Sequence, residues 1–195
     1  SGGRDVLLVG QKSADVFALD PEDGRLLWRV KYGRGGYVGG VHWGMAATPN
    51  ALYTPIADTT ITGAEKGERK PGLFALDPAS GHIKWFAPAP EGCRPEQKPA
   101  CDPGFSAPAT AIPGVVFQPS FDGSLRAYGE RDGALLWSFD TSRPVRTVSG
   151  VDAYGGSIES GGAIVANGRV AVSSGYLFGG RMPGNVLFVF SIDGR

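Results

Sequence analysis

One stretch recurs along the chain, and it limits the possible folds more than any other feature. Val16-Phe-Ala-Leu-Asp-Pro-Glu-Asp-Gly24-Arg-Leu-Leu-Trp28 returns as Leu73-Phe-Ala-Leu-Asp-Pro-Ala-Ser-Gly81-His-Ile-Lys-Trp85 and again as Leu125-Arg-Ala-Tyr-Gly-Glu-Arg-Asp-Gly133-Ala-Leu-Leu-Trp137. A fourth copy begins at Leu187-Phe-Val-Phe-Ser-Ile-Asp-Gly194. Recurrence at a near-constant period marks an architecture of stacked units. Successive tryptophans stand 57 and 52 residues apart, against about 40–50 residues for a propeller blade, so long loops must take up the excess.

Each copy reads as a strand, a polar turn closed by a glycine where positive φ is needed, and a second strand ending in Trp. Ahead of copies two to four stands another hairpin pattern, turning at Pro49-Asn50, Pro113-Gly114 or Asn167-Gly168 between Ala/Val/Ile-rich runs. Two hairpins in series make a four-stranded antiparallel blade, its strands lettered A to D. The expected fold is all-β, a partial β-propeller of about four blades forming a single half-propeller domain over 1–195. Blade one (4–31) lacks strand A, blades two (45–87) and three (105–140) are complete, and blade four (158–195) lacks strand D. A lone blade cannot bury both faces, so Trp28, Trp85 and Trp137 are expected to pack between blades. Open end faces and strand edges need cover, and a homodimer closing a ring of roughly eight blade positions is expected to supply it.

Composition agrees with many short strands: 31 Gly and 15 Pro fall singly between apolar runs. Nineteen basic residues balance nineteen acidic ones, which argues against nucleic acid or an anionic membrane surface as partner. No apolar run reaches the roughly 18 to 20 residues that would span a bilayer. The start at Ser1, without Met, reads as a processed or cut product. In an up-and-down blade the A–B and C–D turns share one rim, and the B–C turns and D–A links share the other. The first set is short. The second collects 32–44, 57–71, 88–104, 141–157 and 175–184, and connections of that length usually carry function.

The Ala-Leu-Asp-Pro-x-x-Gly-x-x-x-Trp copies resemble the tryptophan-docking repeats of pyrroloquinoline quinone (PQQ) dehydrogenases, whose propellers have eight blades. Gly39-Gly-Val-His-Trp-Gly-Met45, Ser106-Ala-Pro-Ala-Thr-Ala-Ile-Pro-Gly114, Phe121-Asp-Gly-Ser-Leu-Arg-Ala-Tyr128, Ser174-Gly-Tyr176 and Met182-Pro-Gly-Asn-Val186 narrow the resemblance to the C-terminal half of cytochrome-linked polyvinyl-alcohol dehydrogenases. The resemblance implies oxidation of an alcohol with PQQ and Ca²⁺, and electrons passed to a cytochrome c. It implies that the quinone lies on the indole of Trp43, since a flat conjugated ring suits a rigid aromatic floor. By the same correspondence a Ca²⁺ ligand falls at Asp58, where a carboxylate suits a hard cation. A carboxylate would take the alcohol proton, and Asp102, the acid of the link before the third repeat, is the weak candidate for it.

Cys93 and Cys101 sit in one Pro-rich loop with no His beside them and no Cys-x-x-Cys-His run for haem. A local disulfide is the preferred reading, with two free thiols as the alternative, and it implies an oxidising compartment, periplasmic or secreted, in a bacterium. His42 has two readings, a hydrogen bond to a cofactor carboxylate or a lining of the axial mouth. His82, in a tight turn, reads as solvated, and Glu65-Lys-Gly-Glu-Arg-Lys70 as a solvated loop. The run Gly155-Gly-Ser-Ile-Glu-Ser-Gly-Gly162 reads as a strained lead-in to a strand rather than a surface for a ligand. Against the dehydrogenase reading stands a second one: a non-catalytic scaffold, because outer-membrane assembly propellers use the same repeats to bind protein partners.

Overall fold

The computed structural model describes residues 5–60, 67–97 and 101–192. Residues 65 and 66 of the charged loop and the Asp193-Gly194 turn of the fourth copy lie outside these. Three strands open the chain, β1 (Leu7–Gly10), β2 (Asp15–Leu19) and β3 (Leu26–Lys31), in the order β1-β2-β3. The second sheet runs β4 (Ala46–Ala47), β5 (Leu52–Ile56), β6 (Gly72–Leu76) and β7 (Ile83–Pro88). The third runs β8 (Thr110–Ile112), β9 (Val115–Pro119), β10 (Ser124–Gly129) and β11 (Leu135–Asp140). After a separate hairpin, β12 (Pro144–Arg146) and β13 (Asp152–Tyr154), come β14 (Ile164–Ala166), β15 (Arg169–Ser174) and β16 (Val186–Ser191). Neighbouring strands within each sheet are antiparallel, and β8 touches both β4 and β14. The fold is an all-β partial propeller of about four blades, the two middle ones four-stranded and the two end ones three-stranded.

The blades stack because their middle strands are apolar on both faces. In β5, Leu52 and Ile56 point to the first blade's Val16 and Tyr32, while Tyr53 points the other way to Phe105 and Tyr128 of the third. In β6, Phe74 and Leu76 join the first group, and Leu73 and Ala75 the second. The period of two sends alternate side chains to opposite faces, so one strand serves two inter-blade cores. A third core, with Phe117, Leu125, Ile158 and Val172, joins blades three and four.

Tryptophan and glycine interlock the blades as plug and socket. Trp28 Nε1 donates to Pro78 O at 3.0 Å in the next blade's turn, and a Cβ on Gly81 would stand 2.8 Å from the Trp28 ring. Trp85 repeats this one blade on: Nε1 donates to Glu130 O at 3.0 Å, and a Cβ on Gly133 would stand 2.6 Å from the ring. The socket glycines share positive φ, 73° at Gly81 and 69° at Gly133, which an L side chain adopts only at a cost. Trp137 lies edge-on to Phe190 at 5.1 Å and stacks on Phe139.

Candidate functional site

Lys12 in the β1–β2 turn, Tyr37, His42 and Trp43 between β3 and β4, Glu159 between β13 and β14, and Tyr176, Phe178 and Arg181 between β15 and β16 line one cavity of about 300 Å³. All are contributed by B–C turns or D–A links, on the loop-laden rim. The cavity is at the small end for a ligand site, roughly 300–1,000 Å³. Its ring side chains lie open: Trp43 is 47% exposed, and Tyr37 and Phe178 more so. Lys12 Nζ rests over the Tyr37 ring at 5.1 Å.

The polar wall is buried. Arg181 is 4% exposed, with its guanidinium 3.9 Å from the centre of the Phe121 ring. Burial lowers its pKa, while the charges of Asp102 and Glu159 pull it back up. Among the described residues this guanidinium makes no hydrogen bond, yet its nitrogens are not among the fully buried polar atoms left without a partner, so its N–H donors stay accessible at the cavity wall. His42 Nδ1 stands 2.7 Å from Ser106 Oγ and 3.3 Å from Glu159 Oε1.

Ser157 ties the Glu159 and Arg181 loops together. Its Oγ donates to Phe121 O and accepts from Met182 N, and its backbone N donates to Met182 O. Here the Gly155-Gly156 pair allows a close approach, to the chain's own backbone: a Cβ on Gly156 would lie 2.2 Å from Pro183 O, and one on Gly155 2.0 Å from Thr141 O. Neither glycine has positive φ; crowding, not backbone strain, is what excludes a side chain there.

Of the residues singled out from sequence, Trp43 and His42 share the cavity, and Asp58 and Asp102 do not line it. Asp58 is fully buried, and its carboxylate accepts the backbone N–H groups of Arg34, Gly35, Gly40 and Lys70 at 2.7 to 3.2 Å. These bonds hold it at φ 35°, unusual for a non-glycine residue, and fold the loop that presents His42 and Trp43. Asp102 Oδ2 accepts both the N–H and the hydroxyl of Thr60, at 2.6 and 2.7 Å, and its Oδ1 accepts from Gly104 N. Both carboxylates are thus spent on loop structure. Cys93 and Cys101 form a disulfide. The loop it closes is clamped onto blade three through Gln97 Nε2, which donates to Asp122 O and Ser142 Oγ, and through Arg94, which pairs with Asp140. His82 is exposed.

Glu159, Arg181 and Ser106 were not recognised from sequence as site residues. Each is a single polar residue in a different inter-strand connection, with no spacing motif to join it to the others. Position signalled only Arg181, which falls in the 175–184 loop; Ser106 and Glu159 fall two residues beyond the loops read from sequence, at the starts of the expected blades three and four.

A flat, anionic quinone fits this donor set in kind. Trp43 and its neighbouring rings offer stacking surface, and Arg181 and Lys12 offer charge and N–H donors. Among the described residues no group of three or more His, Cys, Asp or Glu side chains could hold a metal ion. Among them too, no helix is long and apolar enough to cross a membrane.

The comparisons follow the same lines. The family described as "Outer membrane protein assembly factor BamB" matches residues 1–94. A polyvinylalcohol dehydrogenase of Pseudomonas sp is 42% identical over 99% of this chain, which spans 31% of that relative's length. Among solved structures, the quinohemoprotein alcohol dehydrogenase of Comamonas testosteroni superposes with TM-score 0.61 and 19% identity, over 97% of this chain and 32% of its own. BamB of Moraxella catarrhalis gives TM-score 0.61 and 18% identity, over 98% of this chain and 48% of its own. At these identities the two structures speak for the fold, and the sequence match adds the resemblance: over 99% of its length this chain is similar to a stretch of polyvinylalcohol dehydrogenase.

Proposed function

We propose that this chain is a half-propeller module of a PQQ-dependent dehydrogenase of polymeric secondary alcohols, acting in the periplasm with a cytochrome c as electron acceptor. The observation that carries the reading is the Arg181 guanidinium, its residue mostly buried but its nitrogens accessible and without a hydrogen bond among the described residues, bordering a cavity that also holds the half-exposed indole of Trp43. A cation with open N–H donors at a cavity wall suits an anionic or carbonyl-rich ligand, and an open indole a flat one. When bound, the quinone supplies the two-electron oxidant. The chain's own residues stack it, orient its oxygens through Arg181 and Lys12, and keep water from its face. Asp58 we assign to holding the Trp43 loop rather than to a calcium ion. The Cys93–Cys101 disulfide supports an oxidising compartment.

The end blades leave Ile164, Leu187, Val189 and Ile192 exposed at one end of the stack, and Leu7 and Leu26 at the other. Further blades would cover them, from a second copy or from the remainder of a longer polypeptide like the relatives.

The test is fluorescence titration of the chain with PQQ. Saturable quenching is expected. Trp43→Ala should abolish it, and Arg181→Gln should weaken the affinity about tenfold or more, the scale of one charge-assisted hydrogen bond of ~1.5–3 kcal/mol. A wild-type chain that PQQ does not quench would remove the quinone reading. A second reading, a scaffold for protein partners, is favoured by the BamB-type match over residues 1–94, which includes Trp43 but neither Glu159 nor Arg181.

A further inference from the structure

His42 is held from one side only. Its Nδ1 is 2.7 Å from Ser106 Oγ and 3.3 Å from Glu159 Oε1, and Ser106 Oγ donates to the same Glu159 oxygen at 3.4 Å. A carboxylate only accepts, so the single hydroxyl proton is spent on Glu159, and the hydroxyl oxygen is left to accept from the ring. Nδ1 therefore carries the ring proton, and in the neutral imidazole the lone pair sits on Nε2. Ser106 is fully buried, Glu159 is 4% exposed, and the His42 side chain 10%, so the ring has little freedom to turn. Nε2 has no hydrogen-bond partner among the described residues, and His42 borders the same cavity as Trp43 and Arg181.

We propose that His42 Nε2 accepts the hydroxyl proton of an alcohol bound in this cavity, with Ser106 and Glu159 as positioning residues that hold the tautomer. The carboxylate of Asp102 is not free for that task, since it is bonded to Thr60 and Gly104. The inference rests on the dehydrogenase reading for its oxidant. As the O–H bond breaks and an N–H bond forms at Nε2, a bound ortho-quinone would supply the two-electron oxidant that takes the hydride of the carbinol carbon, leaving a carbonyl. The arrangement follows the logic of an acid that orients a histidine, with a hydroxyl interposed.

The test uses the ¹⁵N-labelled chain, which has two histidines, with His82→Gln to assign the signals. Two-bond ¹H–¹⁵N spectra at a pH where the ring is neutral should show His42 as the Nδ1–H tautomer. Pentane-2,4-diol, a 1,3-diol with the repeat of polyvinyl alcohol, should shift the Nε2 resonance saturably and leave His82 unmoved. The double variant Ser106→Ala/Glu159→Gln should lose the fixed tautomer and give a His82-like mixture. An Nε2–H tautomer in the wild type, or no movement of Nε2 with the diol, overturns the proposal whatever PQQ does. Failure of PQQ to quench Trp43 while the Nδ1–H tautomer and the diol shift persist would instead remove the quinone and leave the hydroxyl site.

Discussion

Asp58 shows how a single carboxylate can serve a site it never enters. Four backbone N–H groups converge on its side chain, from the 34–40 loop and from Lys70, and the bonds keep a positive φ that would otherwise be unfavourable. Asp58→Ala leaves four donors without an acceptor, those of Gly35 and Gly40 buried and those of Arg34 and Lys70 partly so. With losses of about 1–3 kcal/mol for such a group and strong non-additivity among neighbours, about 3 kcal/mol or more of stability should go. Denaturant melts would measure it. PQQ affinity should fall as well, because the loop carries Trp43; a variant with unchanged midpoint would show that water replaces the carboxylate at little cost. This residue also marks the limit of sequence reading. An Asp before Thr59-Thr60 looks the same whether it binds a cation or its own backbone, and only the fold shows where its lone pairs are used.

At the scale of the element, the C–D hairpin carries both the interlocking tryptophan and the glycine that receives its predecessor. Gly24 and Gly81 share φ 73°, but no atom of the described residues lies within 4 Å of a Cβ at Gly24, whereas one at Gly81 would press on the Trp28 ring at 2.8 Å. Gly24→Ala should therefore cost only about 1–2 kcal/mol for its φ, and Gly81→Ala about 1–3 kcal/mol more for the forced contact. Paired thermal melts would check this, and equal costs would mean that the ring moves aside freely. These hairpins were legible from sequence because their signals are local: apolar runs, an Asp-initiated turn, a glycine at fixed offset. The β12–β13 hairpin was not. Its strands are three residues each, mostly exposed, and lack the alternation that a buried face imposes. The polar wall was illegible for another reason. His42, Ser106, Glu159 and Arg181 span 140 residues of sequence and meet only because successive rim loops turn toward one place.

The whole molecule is a stack of units, each stabilised chiefly by its neighbours, as in other repeat proteins. Three inter-blade cores hold it, while apolar side chains at both ends stay exposed. If a second copy supplies the cover, light scattering of the chain alone at micromolar concentration should give twice the monomer mass. A monodisperse monomer would leave blades of a longer polypeptide as the remaining source. The Trp-to-Gly contact between adjacent blades also bears on how such a molecule could have arisen. Blade two brings both halves, Trp85 as plug for blade three and Gly81 as socket for Trp28 of blade one, so an in-frame duplication of such a unit inserts joints that already match on both sides. Growth by tandem copying then requires no co-invented interface. Later divergence is free to act on the rim loops, where His42, Glu159 and Arg181 lie, without disturbing the joints.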